Sequence, residues 1–251
     1  PGGHRRVADV ALDPGNAAAP AGDVFVTRDD SDSMNGTEGN PAQIGDRGDL
    51  YAVGTGEFAP AQYCSVYVLD AERPAIIDTG TGAKYRVVLD ALDQLGIAPA
   101  DLAAIVLTHV HLDHAGGAGY LAEACPNADV YVSAAGASHL VDPGRLWAGT
   151  QDAVGDQIES YAEPRPIPES QIVGLEDGDR IDLGDRELIV HEAPGHAFHQ
   201  VVYEDRETGG VFTGDAAGID TPGQSTVRHS SPPPGFDLEG CLADIGMIQD
   251  L

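Results

Sequence analysis

The chain of 251 residues can bury a substantial core, and single domains of α/β or all-β type reach about 200–250 residues, so we predict one domain. Its formal net charge is −28, from 41 acidic and 13 basic residues spread along the sequence, and Lys84 is the only lysine. The sequence has no cluster of Lys and Arg of the kind that binds nucleic-acid phosphates, which counts against a nucleic acid as a partner. The excess of acidic residues is typical of proteins adapted to high salt.

The first 48 residues show no sustained hydrophobic period. They are rich in Gly, Pro, Asp, Ala and Asn, so we predict a largely disordered extension over 1–48 and one folded domain over 49–251. Met34 lies shortly before regular patterning begins, and we hypothesise that 1–33 is a non-native extension.

From Asp49 onward, short β-type runs alternate with helical patterns. Three- and four-residue spacing of apolar residues predicts helices, and short alternating or apolar runs predict strands. The predicted helices cover 85–95, 118–124, 134–158 and 237–251, and the predicted strands cover 50–53, 65–69, 74–77, 104–107, 130–132, 180–183, 187–191, 200–203 and 210–213. Strands interrupted by helices indicate a layered α/β fold.

The sequence HVHLDH at residues 109–114 concentrates more metal-binding chemistry than any other stretch. It follows the apolar run 104–107 and presents four candidate ligands: His109, His111, Asp113 and His114. A strand that ends in a loop can turn alternate side chains toward one point, whereas a helix would separate them. Imidazole and carboxylate together suit zinc, with iron or manganese as alternatives. We therefore predict a metal site at the end of this strand.

Three further segments place polar residues directly after apolar runs. They are DTG at 78–80, PGH at 194–196 and GDA at 214–216. Together with HxHxDH at 109–114, and in this order, they resemble the motifs of the metallo-β-lactamase superfamily over roughly 49–251. The resemblance implies an αββα sandwich, an α/β fold whose metal site lies on one edge of two packed sheets.

The resemblance also implies a role for each candidate residue. One metal ion would be held by His109, His111 and His196, and a second by Asp113 and His114, with Asp215 bridging the two. Chemistry supports this, because three neutral imidazoles leave an open position for water and a bridging carboxylate holds two cations ~3.5–4 Å apart. Asp113 would also act as a catalytic residue that orients the attacking hydroxide. Asp78 is expected to hydrogen-bond the ligand loop, and His199 to pack beside the ligands without binding metal.

The chain departs from the family pattern near its C-terminal end. Most members carry a further histidine several tens of residues after GDA, on a late strand that follows a helix, but here the sequence ends inside the predicted helix at Leu251. His229 follows Asp215 by only fourteen residues and precedes that helix, so it does not take this place. We expect a fragment without the last strand or strands, whose second metal site is weaker than the first.

Asp215 also bears on the reaction, because many true β-lactamases have cysteine or serine at this position. The carboxylate favours hydrolysis of thioesters, esters or lactones, as in glyoxalase II, over antibiotic hydrolysis. The implied mechanism is attack of a metal-bound hydroxide on the carbonyl, with one or two zinc ions polarising it. Two alternatives stay open: a mononuclear-iron sulfur dioxygenase with the same ligands, and a non-catalytic scaffold domain that kept the motif. Candidates for pocket lining are Arg145, Trp147 and Tyr161.

The cysteines and the hydropathy pattern bear on the cellular compartment of the protein. Cys64, Cys125 and Cys241 are odd in number and form no CxxC pair, which favours a reducing cytoplasm over a disulfide framework. No apolar stretch approaches the ~20 residues of a membrane span. The expected partner is a small-molecule substrate, with no nucleic acid and no membrane.

Overall fold

Two β-sheets and five α-helices make up most of the regular structure in residues 24–25, 41–43, 49–55, 65–218 and 235–251, which are the residues that this computed structural model describes. The strands are β1 (Val24–Phe25), β2 (Ala42–Gln43), β3 (Leu50–Gly54), β4 (Ser65–Leu69), β5 (Ala75–Ile77), β6 (Ala104–Val106), β7 (Asp129–Ser133), β8 (Ile172–Leu175), β9 (Arg180–Asp182), β10 (Glu187–Glu192), β11 (Val201–Asp205) and β12 (Gly210–Phe212). The helices are α1 (Tyr85–Gln94), α2 (Ala118–Ala124), α3 (Ala137–Val141), α4 (Gly144–Val154) and α5 (Leu238–Asp250). Within these residues, no helix combines the length and the apolar character needed to cross a membrane.

The larger sheet has seven strands in the order β2-β3-β4-β5-β6-β7-β8. Its first four strands pair antiparallel, and β5 to β8 pair parallel. The smaller sheet has the order β1-β12-β11-β10-β9 and is antiparallel apart from the β1-β12 pair. Because the carboxyl ends of parallel strands reach the same edge of a sheet, the loops after β5, β6, β7 and β8 meet there.

Alternate side chains of the larger sheet enter two different apolar cores. Ile76 belongs to a buried cluster with Leu92 of α1 and Leu121 of α2, so this face of the sheet is covered by helices. Ile77, the next residue, belongs to a second cluster that includes Tyr203 of β11, which fills the space between the two sheets. The period of two in a strand produces this division.

A third apolar cluster covers the outer face of the smaller sheet. There, Ile248 of α5 packs with Val202 of β11 and Val211 of β12. The layers therefore follow the order helices, sheet, sheet, helix, which confirms the predicted αββα sandwich.

Helix α1 shows how local sequence sets the boundary of an element. Val88, Ala91 and Leu92 are buried at the three- and four-residue spacing of one helix face. Gly96 then takes a φ of 77°, and its N–H and that of Ile97 donate to carbonyls of the last turn. This is a Schellman ending, which favours glycine at the position of positive φ.

The sequence prediction missed three strands. Strand β8 lies at the edge of the larger sheet, is mostly half-exposed, and contains Gly174, so its apolar run was too weak to detect. Two short strands, β1 and β2, fall within the segment 1–48 that was predicted to be largely disordered. A strand of two residues is too short to show an alternating pattern in the sequence. Such a strand is recognised only by its pairing with a neighbouring strand. The rest of 1–48 lies outside the described residues, apart from position 41.

A buried arginine links the start of the folded region to the smaller sheet. Arg186 is 3 % exposed, and its Nη2 lies 3.0 Å from Asp49 Oδ1, while its Nη1 lies 3.8 Å from Asp205 Oδ2. Replacing Arg186 with methionine is expected to lower the free energy of unfolding by about 3–5 kcal/mol, because the buried carboxylate of Asp205 loses its counter-charge and the half-buried Asp49 loses its ion pair. Urea unfolding measures this difference.

The matched control is Arg180→Met, which breaks only the exposed pair with Glu187. We expect it to lower the free energy of unfolding by less than about 1 kcal/mol. Equal stability of the two variants would show that Arg186 is not a buried counter-charge.

Candidate metal centre

The four polar segments singled out in the sequence meet at one edge of the sandwich. They follow β5, β6, β10 and β12, so two come from each sheet. The sheets are tied together beside this edge, since Tyr203 Oη donates to the Leu107 carbonyl at 2.6 Å and Val201 N donates to the Thr108 carbonyl at 2.9 Å. The loop that carries HVHLDH therefore starts from a fixed backbone.

Two groups of ligand atoms converge among the described residues. The ligand atoms of His109, His111 and His196 lie within 4.8 Å of one another, and so do those of His109, His114 and Asp215. His111 Nδ1 is 3.0 Å from His196 Nε2, and His114 Nε2 is 3.2 Å from Asp215 Oδ1. The second oxygen of Asp215 lies 3.5 Å from His196 Nε2, so this carboxylate stands between the two groups.

Asp113 lies at the margin of the cluster. Its side chain is 34 % exposed, and its Oδ2 is 3.9 Å from His114 Nε2. It belongs to neither of the two converging groups, whereas His109 belongs to both. The resemblance implied that Asp113 holds the second ion, and the spacing of residues along a loop does not fix the direction in which this side chain points. Its roles as a ligand and as a catalytic residue stay predictions.

The donor set fits a metal ion. His109 is fully buried, its Nδ1 pairs with Thr108 Oγ1 at 3.0 Å, and its Nε2 has no hydrogen-bond partner. A buried polar atom without a partner costs about 1–3 kcal/mol, so an additional partner for Nε2 is expected. Burial also lowers the pKa of His109 well below its usual range and the pKa of His111 to about 4, which keeps both rings neutral. Neutral imidazole is the form that binds zinc.

Two carboxylates beside His114 stabilise positive charge on its ring. Its Nδ1 lies 2.8 Å from Asp78 Oδ2, opposite the contact of Nε2 with Asp215. Burial opposes protonation of this ring, but Asp215 and Asp78 outweigh it and raise the pKa of His114 well above its usual value. Burial likewise opposes ionisation of Asp215, but His114 and then His196 lower the pKa of that carboxyl. A cation bound here would take the place of the proton.

Asp78 connects the ligand residues to each other. Its Oδ1 accepts from Thr108 N at 2.8 Å, and Thr108 Oγ1 in turn contacts His109 Nδ1. With its other oxygen on His114, Asp78 thus reaches one ligand directly and another through Thr108. The backbone of Asp78 has a φ of 58°, which is uncommon for residues other than glycine and is best tolerated by Asn and Asp. Sequence reasoning overlooked Thr108, although it directly precedes the HVHLDH motif.

His199 packs against the ligand rings. Its ring lies parallel to that of His109, with centroids 6.1 Å apart, and meets His111 edge-on at 5.4 Å. Burial lowers the pKa of His199 to about 3, so the ring is neutral. On its other side it contacts Phe198 and, at 6.2 Å, His139 of α3. No sequence pattern singled out Phe198, because an exposed aromatic residue becomes informative only when it lies beside a site.

The residues proposed for pocket lining are placed less centrally. Tyr161 is buried, and its carbonyl accepts from Ala83 N at 3.0 Å. Arg145 is exposed on α4, and Trp147 on the same helix is half-buried. Their contact with a substrate stays a prediction.

Helix α5 fixes the loop that carries His196. Gly195 N donates to Asp244 Oδ2 at 2.7 Å, and the Gly195 carbonyl accepts from Asp237 N at 2.8 Å. A Cβ atom on Gly195 would lie 2.2 Å from Cys241 N, which is far too close. The motif PGH therefore needs glycine because the helix backbone passes directly beside it.

Replacing Gly195 with alanine should separate α5 from this loop. We expect the free energy of unfolding to fall by about 1–3 kcal/mol from overpacking, together with weaker zinc binding as His196 moves. Urea unfolding and a zinc titration measure the two effects. Gly246→Ala, on the same helix with open space around its Cβ position, is the control and should be neutral or stabilising. Equal behaviour of both variants would contradict the close approach.

Comparison with known proteins agrees with this geometry. The family model of the Metallo-beta-lactamase superfamily matches residues 59–251, so the chain belongs to this superfamily of metal-dependent hydrolases. An archaeal metallo-beta-lactamase superfamily protein from Sulfolobus tokodaii has a similar structure, with a TM-score of 0.67 and 25 % identity, over 79 % of this chain and 74 % of that one.

Three relatives illustrate the range of similar sequences. An uncharacterized protein of Mycobacterium tuberculosis is 34 % identical over 201 residues, which cover 74 % of this chain and 81 % of the relative. An acyl-coenzyme A thioesterase of Gallus gallus is 32 % identical, over 59 % of this chain and 55 % of the relative. A hydroxyacylglutathione hydrolase of Gloeobacter violaceus is 34 % identical, over 60 % of this chain and 47 % of the relative. The match thus spans about half the length of the two hydrolases.

Proposed function

We propose that the protein is a zinc-dependent hydrolase of thioesters, with esters and lactones as related substrates. The observation that carries the proposal is the convergence of four histidine side chains with Asp215, which stands between two groups of ligand atoms. The similarity to an acyl-coenzyme A thioesterase and to a hydroxyacylglutathione hydrolase supports the thioester as the bond cleaved.

In this proposal one ion would be held by His109, His111 and His196, and a second by Asp113, His114 and Asp215. When bound, zinc supplies a Lewis acid that polarises the carbonyl and lowers the pKa of a water molecule. Asp78 and Thr108 keep the ligand rings in place through the hydrogen bonds described above. Their part is orientation, since buried partners of metal-binding histidines fix the ring and its tautomer.

We assign the proton transfer to Asp113. Its carboxylate is one-third exposed, so water and substrate can reach it, and it lies beside His114 at the mouth of the cluster. It would orient the attacking water and accept its proton as the new C–O bond forms. The C–S bond then breaks, and the proton passes to the departing thiolate. No serine or cysteine nucleophile takes part.

Thiol release from a panel of thioesters tests the proposal. The panel contains an acyl-coenzyme A, a hydroxyacylglutathione and a short neutral thioester, assayed at low and high salt because of the net charge of −28. We expect hydrolysis that disappears with a chelator and returns with zinc. Activity restored only by iron, with oxygen consumed, would instead identify a sulfur dioxygenase. Tight zinc binding without hydrolysis of any substrate would identify a scaffold domain.

The proposed setting is the cytoplasm, with a small molecule as substrate. Cys125 and Cys241 are buried free thiols, which supports a reducing compartment. Burial raises the pKa of Cys125 to about 11, so this thiol is unreactive.

A further inference from the structure

His199 is a buried histidine beside the ligands proposed for the first ion. Of these ligands, His109 and His196 are fully buried, whereas His111 is half-buried. A substrate therefore reaches this group of ligands on the side of His111. The ring of His199 meets the ring of His111 edge-on, with centroids 5.4 Å apart, so His199 lies beside this approach.

The surrounding chain holds the ring of His199 in one place. Gln200 N donates to the Ala197 carbonyl at 2.8 Å, which closes a turn that contains His199. A Cβ atom on Gly136 would lie 3.4 Å from His199 Cβ, so the turn between β7 and α3 packs closely against this side chain. A donor on this ring is therefore fixed in position before a substrate arrives.

The hydrogen bonding of His199 places its proton on Nε2. Its Nδ1 accepts from Val110 N at 3.5 Å, in the loop that carries HVHLDH. A ring nitrogen that accepts from a backbone N–H carries no proton, and a neutral imidazole has only one proton to place. Because burial keeps this ring neutral, the proton lies on the other nitrogen, Nε2.

The Nε2 atom of His199 is open to a ligand. It has no hydrogen-bond partner in the part of the chain that the structure describes. It is also not one of the buried atoms there that lack a partner, so it reaches the surface although the whole residue is only 5 % exposed. A buried ring thus presents one accessible donor beside His111.

Asp113 supplies the complementary group at the same opening. It follows His111 by two residues, and its carboxylate is one-third exposed. Attack of water on a carbonyl needs an acceptor for the proton of the water and a donor for the charge that develops on the carbonyl oxygen. Asp113 is such an acceptor, and His199 is such a donor.

We propose that His199 is a catalytic residue, whose Nε2–H donates a hydrogen bond to the carbonyl oxygen of the thioester as negative charge develops there. The inference rests on the proposed thioester hydrolysis and adds a residue to it. As the oxygen of water bonds to the carbonyl carbon, the π electrons move to the carbonyl oxygen and Asp113 takes the proton. When the C=O bond forms again, the C–S bond breaks, its electron pair stays on sulfur, and sulfur takes that proton. The proton on Nε2 stays on His199 throughout.

A structural role is the competing explanation, because the bond from Val110 N also ties His199 to the ligand loop. The two roles use different nitrogens, so two substitutions separate them. In His199→Asn, the amide oxygen takes the place of Nδ1 and can accept from Val110 N, but no donor reaches the place of Nε2. In His199→Gln, the amide N–H takes the place of Nε2, and the acceptor for Val110 is lost.

Steady-state kinetics of the zinc-loaded variants distinguish the two roles. We expect His199→Asn to lower kcat by about a hundredfold, which is typical for the loss of one oxyanion donor, with KM and zinc content unchanged. His199→Gln should keep kcat within about tenfold of the unmodified protein, because its donor remains. A His199→Gln protein that is no faster than His199→Asn would overturn the proposal.

A second substrate tests whether the lost hydrogen bond goes to the carbonyl oxygen. In a dithioester this oxygen is replaced by sulfur, which is a weak acceptor. The loss of kcat in His199→Asn should therefore shrink to less than about tenfold. An equal loss for both substrates would assign the effect to packing and overturn the proposal.

The position of the proton is measured without any substrate. Long-range proton–nitrogen correlation spectra of the unmodified protein, with the signals of His199 identified from their loss in His199→Asn, are expected to show the proton on Nε2. A proton on Nδ1 would overturn the proposal.

Failure of the proposed function gives a different result from failure of this inference. If the zinc-loaded, unmodified protein hydrolyses no thioester, the proposed function fails and the role of His199 fails with it. Hydrolysis that proceeds at an unchanged rate in His199→Asn would refute the role of His199 alone.

Discussion

Replacing His109 with alanine is expected to abolish zinc binding and to lower kcat/KM for thioester hydrolysis by more than about a thousandfold. His109 is fully buried and belongs to both groups of ligand atoms, so its loss removes a ligand of the first ion and leaves a gap beside the ligands of the second. Metal ions contribute several kcal/mol of charge stabilisation, and about 1.4 kcal/mol corresponds to a factor of ten in rate. Zinc content after dialysis and steady-state kinetics measure the two losses.

The control for this variant is His191→Ala. His191 lies on β10 and pairs with Glu204 at 3.0 Å, outside both groups of ligand atoms. It should keep zinc and activity close to those of the unmodified protein. A His109→Ala protein that folds and retains its full zinc content would contradict the assignment of the ligands.

Replacing Asp78 with asparagine is expected to weaken zinc binding by about 10–100-fold, with a parallel loss of kcat. Asparagine tolerates the φ of 58° and can still accept from Thr108, but it removes the carboxylate charge beside His114 Nδ1. The ring of His114 is then less basic and less firmly oriented. Competition with a chelator of known affinity measures the change.

Asp93→Asn removes the same charge from an exposed position on α1 and serves as the control. It should bind zinc as the unmodified protein does. If Asp78→Asn also binds zinc with unchanged affinity, then the hydrogen bonds from Asp78 do not support the metal centre.

The sequence predicted the parts of the fold that depend on short-range pattern. Helix α2 matches its predicted bounds, and α1 ends at Gln94, one residue before its predicted end. The alternation of Ile76 and Ile77 between two cores follows from the period of a strand, so the layered arrangement could be predicted. The resemblance carried by the four motifs implied one site for all of them, and the ligand atoms of five of the six predicted ligands converge, but their binding of metal stays a prediction.

Other features depend on contacts between residues far apart in the sequence. The need for glycine at position 195 comes from the backbone of α5 beside it, which no local pattern reveals. His109 belongs to both groups of ligand atoms and Asp113 to neither, and this depends on the directions of their side chains in a loop. The contact between His199 and His111 forms only when the ends of β6 and β10 are brought together. The weaker second metal site stays a prediction.

Stepwise zinc titration of the metal-free protein, with bound zinc and the rate of thiol release measured at each step, tests whether thioester hydrolysis depends on the zinc centre. We expect a rate near zero without zinc that rises as zinc binds and reaches its maximum at one or two bound ions. Hydrolysis by the metal-free protein at an undiminished rate, or zinc binding that His109→Ala leaves unchanged, would contradict it.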